Sequence, residues 1–413
     1  MNILNKINLN FLLAVFAFSM PIHEKISTIM IFVCVLALSI EIAKKRVVLE
    51  WKKEFLVLPV LYLFYIGISI IMSDKIEFKW FEQKASLLIF PFLFLTSYKI
   101  DFRRILTAFV YGCLLAYIIC FIFALKNSIL IESDSIGFNP LLNDSRGFGF
   151  FKSTIYEGNY FFGEHFSILM QISYFALYLT FALFILLFYL KEFKGKGFVI
   201  SILVLGVLQT ISLAGILDLV LVSFFLLNYK VKSLRTKIVV IVGFVGIIAL
   251  SGVYHPRINV SLKSVFQTLQ GENSVDFPKL PRLSTWEGSL KVINEHQFGL
   301  GIRKAQEQLN IMYDKIGFIR REKKELNAHN QFFQTILECG IIGLFVLLYA
   351  FYYLYRNAGK LEAEERIIIY SFLTLLGMNF LFESMLNRYI GISFFTFFIC
   401  LLFNLKKTRL SQI

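Results

Sequence analysis

Apolar residues come in long runs separated by short polar breaks. The runs fall at about 8–22, 26–43, 55–72, 85–98, 105–124, 165–190, 197–211, 213–228, 237–254, 331–355, 366–384 and 388–405. Runs of this length suit helices crossing a bilayer. Lipid offers no hydrogen-bond partners, so each run must satisfy its own backbone, which a helix does internally. The pattern predicts an all-α protein: a polytopic membrane bundle of about twelve transmembrane helices, with residues 1–413 forming one integral membrane domain. The stretch 197–228 is too long for one crossing, and Gly206, Ser212 and Gly215 offer a place to turn back, so it reads as two short helices.

One long polar segment interrupts this alternation. Residues 255–330 separate the ninth run from the tenth and form a large extracytoplasmic loop carrying short helices. Within it, Trp286, Leu290 and Ile293 recur at near-helical spacing and predict a helix from Leu283 to Glu295. Ser284 or Thr285 is the candidate cap of that helix. Gly299-Leu300-Gly301 reads as a turn. It lacks the third glycine and the preceding strand of a nucleotide-binding loop. The segment is also rich in cations, among them Arg257, Lys263, Lys279, Arg282, Arg303, Lys304, Arg320, Arg321, Lys323 and Lys324.

Composition strengthens the membrane reading. The chain of 413 residues is 57% hydrophobic, more apolar surface than one soluble core of this size would hide. The net charge of +14 does not call for nucleic acid, because the basic residues sort by loop. Lys44, Lys45, Arg46, Lys52 and Lys53 occupy one short loop, Lys99, Arg103 and Arg104 another, and Lys191, Lys194 and Lys196 a third. Lys230, Lys232, Arg235 and Lys237 follow, then Arg356, Lys360 and Arg366, and finally Lys406, Lys407 and Arg409. Every second loop is basic, as cytoplasmic loops are. Both termini then lie inside, and the long segment lies outside with the loops Ser73–Lys84 and Lys126–Glu164. Residues 8–21 read as a first span rather than a cleavable leader, because Met20-Pro21-Ile22-His23 is no small-residue cleavage site. Cys34, Cys113, Cys120, Cys339 and Cys400 all fall in apolar runs, away from metal-ligand spacing, and read as packing residues.

Candidate chemistry clusters at the outer mouths of the spans. His329, in Asn327-Ala328-His329-Asn330, opens the 331–355 run. It is either a base for a hydroxyl nucleophile or a residue of the helix cap. Arg282 is either a two-pronged phosphate ligand or a surface arginine paired with Glu287 or solvent. Glu383 and Arg388 flank the outer end of the eleventh run, as an ion pair or as substrate ligands. Lys84 enters the fourth run from outside, as a snorkelling anchor or a phosphate ligand. Gly340 and Gly343 suit close helix packing. No catalytic carboxylate pair or metal box stands out, and no metal or other cofactor is expected. A transporter or flippase would carry internal repeats and mid-membrane charges, which the pattern does not offer.

These residues resemble those of the O-antigen ligase and polymerase family. His329-Asn330 followed by Gly340, Gly343 and Leu344 is similar to that family's histidine block. Arg282, Trp286 and Gly299-Leu300-Gly301 resemble the block before it. Glu383-Ser384 through Arg388 and Gly391 resemble the C-terminal block, and Lys84 through Pro91 the block opening the fourth span. The resemblance implies a metal-independent glycosyltransferase of lipopolysaccharide synthesis on the periplasmic face of the bacterial inner membrane. Its donor would be a glycan on undecaprenyl pyrophosphate. The acceptor would be a lipid A-core sugar in a ligase, or a second lipid-linked repeat in a polymerase. Carried over, His329 deprotonates or orients the acceptor hydroxyl, while Arg282, Lys84 and Arg388 hold the pyrophosphate. Glu383 positions Arg388, and Asn330 and Trp286 support the site. Two positions depart from the family pattern. Gln171-Ile172 stands where relatives have His-Pro, and Leu213 follows Ser212 where they carry arginine.

Overall fold

The structure, a computed structural model, describes residues 8–72, 75–132, 135–142, 158–230, 281–318 and 325–404, with Ser233, Arg235 and Ile238. The chain forms two compact units. One comprises Met1–Leu115, Phe181–Ile200 and Thr285–Ile413; the other comprises Ala116–Thr180 and Ser201–Ser284. The expected run at 237–254 lies outside the described residues apart from Ile238, as do Arg257, Lys263, Lys279, Arg320, Arg321, Lys323 and Lys324.

Helices dominate. In chain order they are α1 (Leu9–Ser19), α2 (Glu24–Ala43), α3 (Val57–Met72), α4 (Phe78–Lys84), α5 (Ser86–Phe94), α6 (Phe102–Ser128) and α7 (Ile172–Phe184). A single π turn, Ile185–Tyr189, extends α7. Then come α8 (Lys196–Gln209), α9 (Leu213–Lys230), α10 (Pro281–Glu295), α11 (Gly301–Lys315), α12 (Gln331–Ala358), α13 (Ala363–Phe382) and α14 (Tyr389–Phe403). Six helical stretches among the described residues are long and apolar enough to cross a membrane: Glu24–Ala43, Lys53–Met72, Phe102–Ser128, Ile172–Tyr189, Gln331–Ala358 and Glu365–Phe382. The other apolar runs among the described residues form shorter helices. Residues 197–228 do divide in two, at a turn where Ile211 takes a positive φ of 48°. Ile129–Glu132 (β1) pairs antiparallel with Ser135–Phe138 (β2).

In the first unit, α14 runs through the core. Every residue from Ile390 to Phe403 is buried, as suits a helix that is apolar all round. Phe394, Phe397 and Phe398 gather Phe16, Phe90, Phe109, Phe181 and Phe372 in edge-on and tilted contacts, with ring centroids 4.7–6.1 Å apart. On this core α12 packs against α3 and α13. In the second unit, Gly215 brings α9 against Ala176 of α7 and Val207 of α8.

α12 is broken at Gly340, where φ is 71° and ψ −175°, a conformation nearly confined to glycine. The break orphans the bond that Ile341 N–H would normally make to the Leu337 carbonyl. The connector between α10 and α11 repairs it. Ile341 N–H donates to the Gln297 carbonyl (3.0 Å), and Leu300 N–H donates to the Leu337 carbonyl (2.9 Å). The two backbones touch here. A Cβ built on Gly340 would lie 2.5 Å from the Phe298 carbonyl carbon, and one on Gly299 would lie 2.4 Å from the Gly340 nitrogen. Gly299 and Gly340, which read separately as a turn and a packing glycine, are two halves of one joint. The long segment is thus clamped to the helix that begins beside His329.

Candidate functional site

His329 sits in the turn that leads into α12. Its φ is 45°, a left-handed conformation that costs about 1–3 kcal/mol outside glycine. Several contacts hold it there. Asn327 Oδ1 accepts from His329 N–H (3.0 Å), and Trp286 Nε1 donates to the His329 carbonyl (3.3 Å). On one side of the turn, Ala328 N–H donates to Gln334 Oε1 (3.0 Å). On the other, Asn330 caps α12, its Oδ1 accepting from Phe332 and Phe333 N–H (2.9 and 3.1 Å). Asn330 Nδ2 donates to the Leu381 carbonyl (3.2 Å), tying the turn to the end of α13. Trp286 lies between Phe333 and Phe382.

The imidazole faces Glu383. His329 Nδ1 lies 3.4 Å from Glu383 Oε2; the histidine side chain is 17% exposed and the carboxylate 2%. A carboxylate there favours the tautomer with the proton on Nδ1 and leaves the Nε2 lone pair for another partner. α13 ends at Phe382 and Glu383 is extended, which turns the carboxylate back toward the α12 entrance. The pairing with His329 is the contact that sequence reasoning missed, having assigned Glu383 to Arg388. Fifty-four residues separate the two, and no local pattern marks them.

Behind this turn lies a sealed polar cluster. Lys84 closes α4 with its side chain fully buried. Its ammonium donates to the Leu386 carbonyl (2.8 Å) and to Asn387 Oδ1 (2.9 Å). It lies 3.7 Å from Glu338 Oε2 and 4.6 Å from the centre of the Tyr65 ring. Two hydrogen bonds and one ion pair thus hold the ammonium inside the protein, where it braces the 383–388 turn rather than snorkelling to the surface. Glu338 Oε1 accepts from Gln334 Nε2 (2.8 Å) and from Asn387 Nδ2. Gln331 Oε1 accepts from Leu386 N–H (2.7 Å), and Tyr65 and Thr335 share a hydroxyl contact (2.7 Å). Glu338 therefore joins the His329 turn, through Gln334, to the 383–388 turn, through Asn387 and Lys84. Glu338 was not singled out in the sequence, where it reads as an isolated acid inside an apolar run.

Arg388 is exposed at the entrance of α14. Lys84 and Glu338 hold the residues just before it from inside. Arg282 belongs to the second unit. It follows Pro281 in the first turn of α10, where a proline is well suited. Its Nη2 donates to Ser173 Oγ (3.2 Å) at the start of α7. Glu287 pairs with Lys291 (2.9 Å). Ser284 and Thr285 are not caps: the helix starts earlier and buries both. The structure thus gathers His329, Glu383, Asn330 and Trp286 in the first unit, with Lys84 beneath the Arg388 turn. Among the described residues, no three His, Cys, Asp or Glu side chains gather as a metal site would require.

Residues 169–348 match a family model described as O-antigen ligase. The match runs from the entrance of α7 into α12. It includes Arg282, Trp286, His329, Asn330 and Glu338, and it stops short of Glu383 and Arg388. No curated protein matches the chain.

Proposed function

We propose that this chain, whose residues 169–348 match the O-antigen ligase family model, transfers a glycan from undecaprenyl pyrophosphate to a sugar of the lipid A core at the periplasmic face of the bacterial inner membrane. Its apolar helices and its family fit a multi-pass membrane protein. The observation that carries the reading is the half-open imidazole of His329 backed by the buried Glu383 carboxylate. In the transfer, the acceptor hydroxyl gives its proton to His329 Nε2 as its oxygen bonds the anomeric carbon of the donor. The bond from that carbon to the phosphate oxygen breaks, and the electron pair leaves on undecaprenyl pyrophosphate. Glu383 stabilises the imidazolium while it exists. Arg388, exposed beside this turn, meets the growing negative charge of the leaving group. Lys84 acts indirectly, by fixing the Arg388 turn. No metal is needed in this scheme, because Arg388 supplies the positive charge.

The chain reconstituted in proteoliposomes with purified lipid-linked donor tests this. With lipid A-core added, glycan is expected on the core. Elongation of the lipid-linked glycan in the absence of core would instead identify a repeat-unit polymerase of the same family. No transfer in either arm from a folded protein would overturn the enzyme reading.

A further inference from the structure

We infer that the β1–β2 hairpin is an interfacial membrane anchor, with one face resting in the headgroup and upper acyl region of the bilayer. Its register pairs Ile129 with Phe138 and Ile131 with Ile136. Alternation along each strand puts these four side chains on one face. All four are exposed: Ile131 by 83%, Ile136 by 81%, Phe138 by 62% and Ile129 by 45%. The opposite face, with Leu130 and Gly137, is partly buried. A two-stranded sheet with a wholly apolar, outward face is not a surface suited to water.

The occupant follows from what precedes the hairpin. α6 is one of the helices able to cross a membrane, and β1 begins at the residue after its end. Its last turns are themselves exposed and apolar at Ile118, Ile122 and Phe123. The helix has 27 residues. At 1.5 Å per residue it is about 40 Å long, against a hydrocarbon core of about 30 Å. Its end therefore reaches headgroup level. The chain then folds back closely. Ser128 Oγ donates to the Ala124 carbonyl (2.7 Å), and Asn139 N–H donates to the Ser128 carbonyl (2.8 Å), closing the hairpin on the helix end. Phe138 meets Phe161, which meets Phe121 of α6. Depth is limited from the other side by the backbone. The outer edges of a two-stranded sheet carry unpaired N–H and C=O groups, which hydrocarbon excludes. The interface alone accommodates both a wet backbone edge and a dry face.

The five native cysteines are all buried, so an introduced cysteine can be labelled selectively. Ile131→Cys and Ile136→Cys, each carrying a bimane, are placed in full-length protein in vesicles of phosphatidylethanolamine and phosphatidylglycerol. Lys291→Cys, at an exposed polar position, serves as the aqueous control. Lipid bearing a nitroxide near the headgroup is expected to quench both hairpin probes several-fold more than lipid bearing it at the chain end. Iodide is expected to quench them several-fold less than the control. Iodide quenching equal to the control would overturn the inference, as would strongest quenching by the chain-end label. Protection from all three quenchers would also overturn it, since it would mean that protein covers the face. None of these readouts depends on the proposed glycan transfer.

Discussion

At the residue scale, the candidate site comes down to one imidazole and the carboxylate that orients it. His329→Ala is expected to lower transfer by on the order of 10²–10⁴, the usual contribution of a general base, while the purified protein keeps its elution profile. Glu383→Gln keeps an acceptor for Nδ1–H but removes the charge that stabilises the imidazolium. It is expected to lower kcat more than it raises KM for the acceptor. Unchanged turnover of His329→Ala would remove the imidazole from the chemistry, and unchanged turnover of Glu383→Gln would remove the carboxylate's charge from it. His329 and Asn330 were legible in the sequence because they sit at the mouth of an apolar run. Glu383 was legible as a polar residue at the edge of the membrane, but its partner was not.

At the element scale, two devices hold the site. The first is the polar cluster around Lys84 and Glu338. Removing one member of a buried ion pair strands the other charge, at a cost of about 3–5 kcal/mol. Lys84→Met is therefore expected to lower stability by that order, measured by thermal unfolding in detergent. Adding Glu338→Gln should restore part of the loss, because the two changes share one interaction. Strictly additive losses would mean the pair is not coupled. The second device is the joint at Gly340. Gly340→Ala meets the Phe298 backbone and an unfavourable φ together, and the strain alone costs about 1–3 kcal/mol. The expected outcome is a lowered melting temperature and faster protease cleavage in the α10–α11 connector. Wild-type behaviour in both assays would show that the joint can slide open without cost. The sequence pointed to both glycines, yet not to their meeting, which joins residues forty-one positions apart.

At the scale of the molecule, alternating charge is the argument for topology. Lys45 and Lys291 lie in stretches read as inside and outside respectively, and both are exposed. In spheroplasts, Lys291→Cys is expected to react with a membrane-impermeant maleimide and Lys45→Cys only after permeabilisation. The reverse pattern would invert the bundle and place His329 on the cytoplasmic side. Six described helices have the length of a span, and the shorter ones leave the number of crossings to this kind of labelling. The two compact units were not evident from hydropathy, because membrane helices look alike in composition whichever neighbours they contact.

What the sequence determined by itself is what depends on local order along the chain. Apolar runs must become helices in lipid, and the spacing of Trp286, Leu290 and Ile293 forms a helix wherever it is placed. The tertiary structure decided which distant groups meet. Lys84 is buried rather than snorkelling because Leu386, Asn387 and Glu338, some 250–300 positions later, surround its ammonium. Glu383 serves His329 because α13 ends where the α12 turn begins. Such contacts are set by the packing of helices whose facing surfaces share no periodic signal, so they exist only once the bundle has closed.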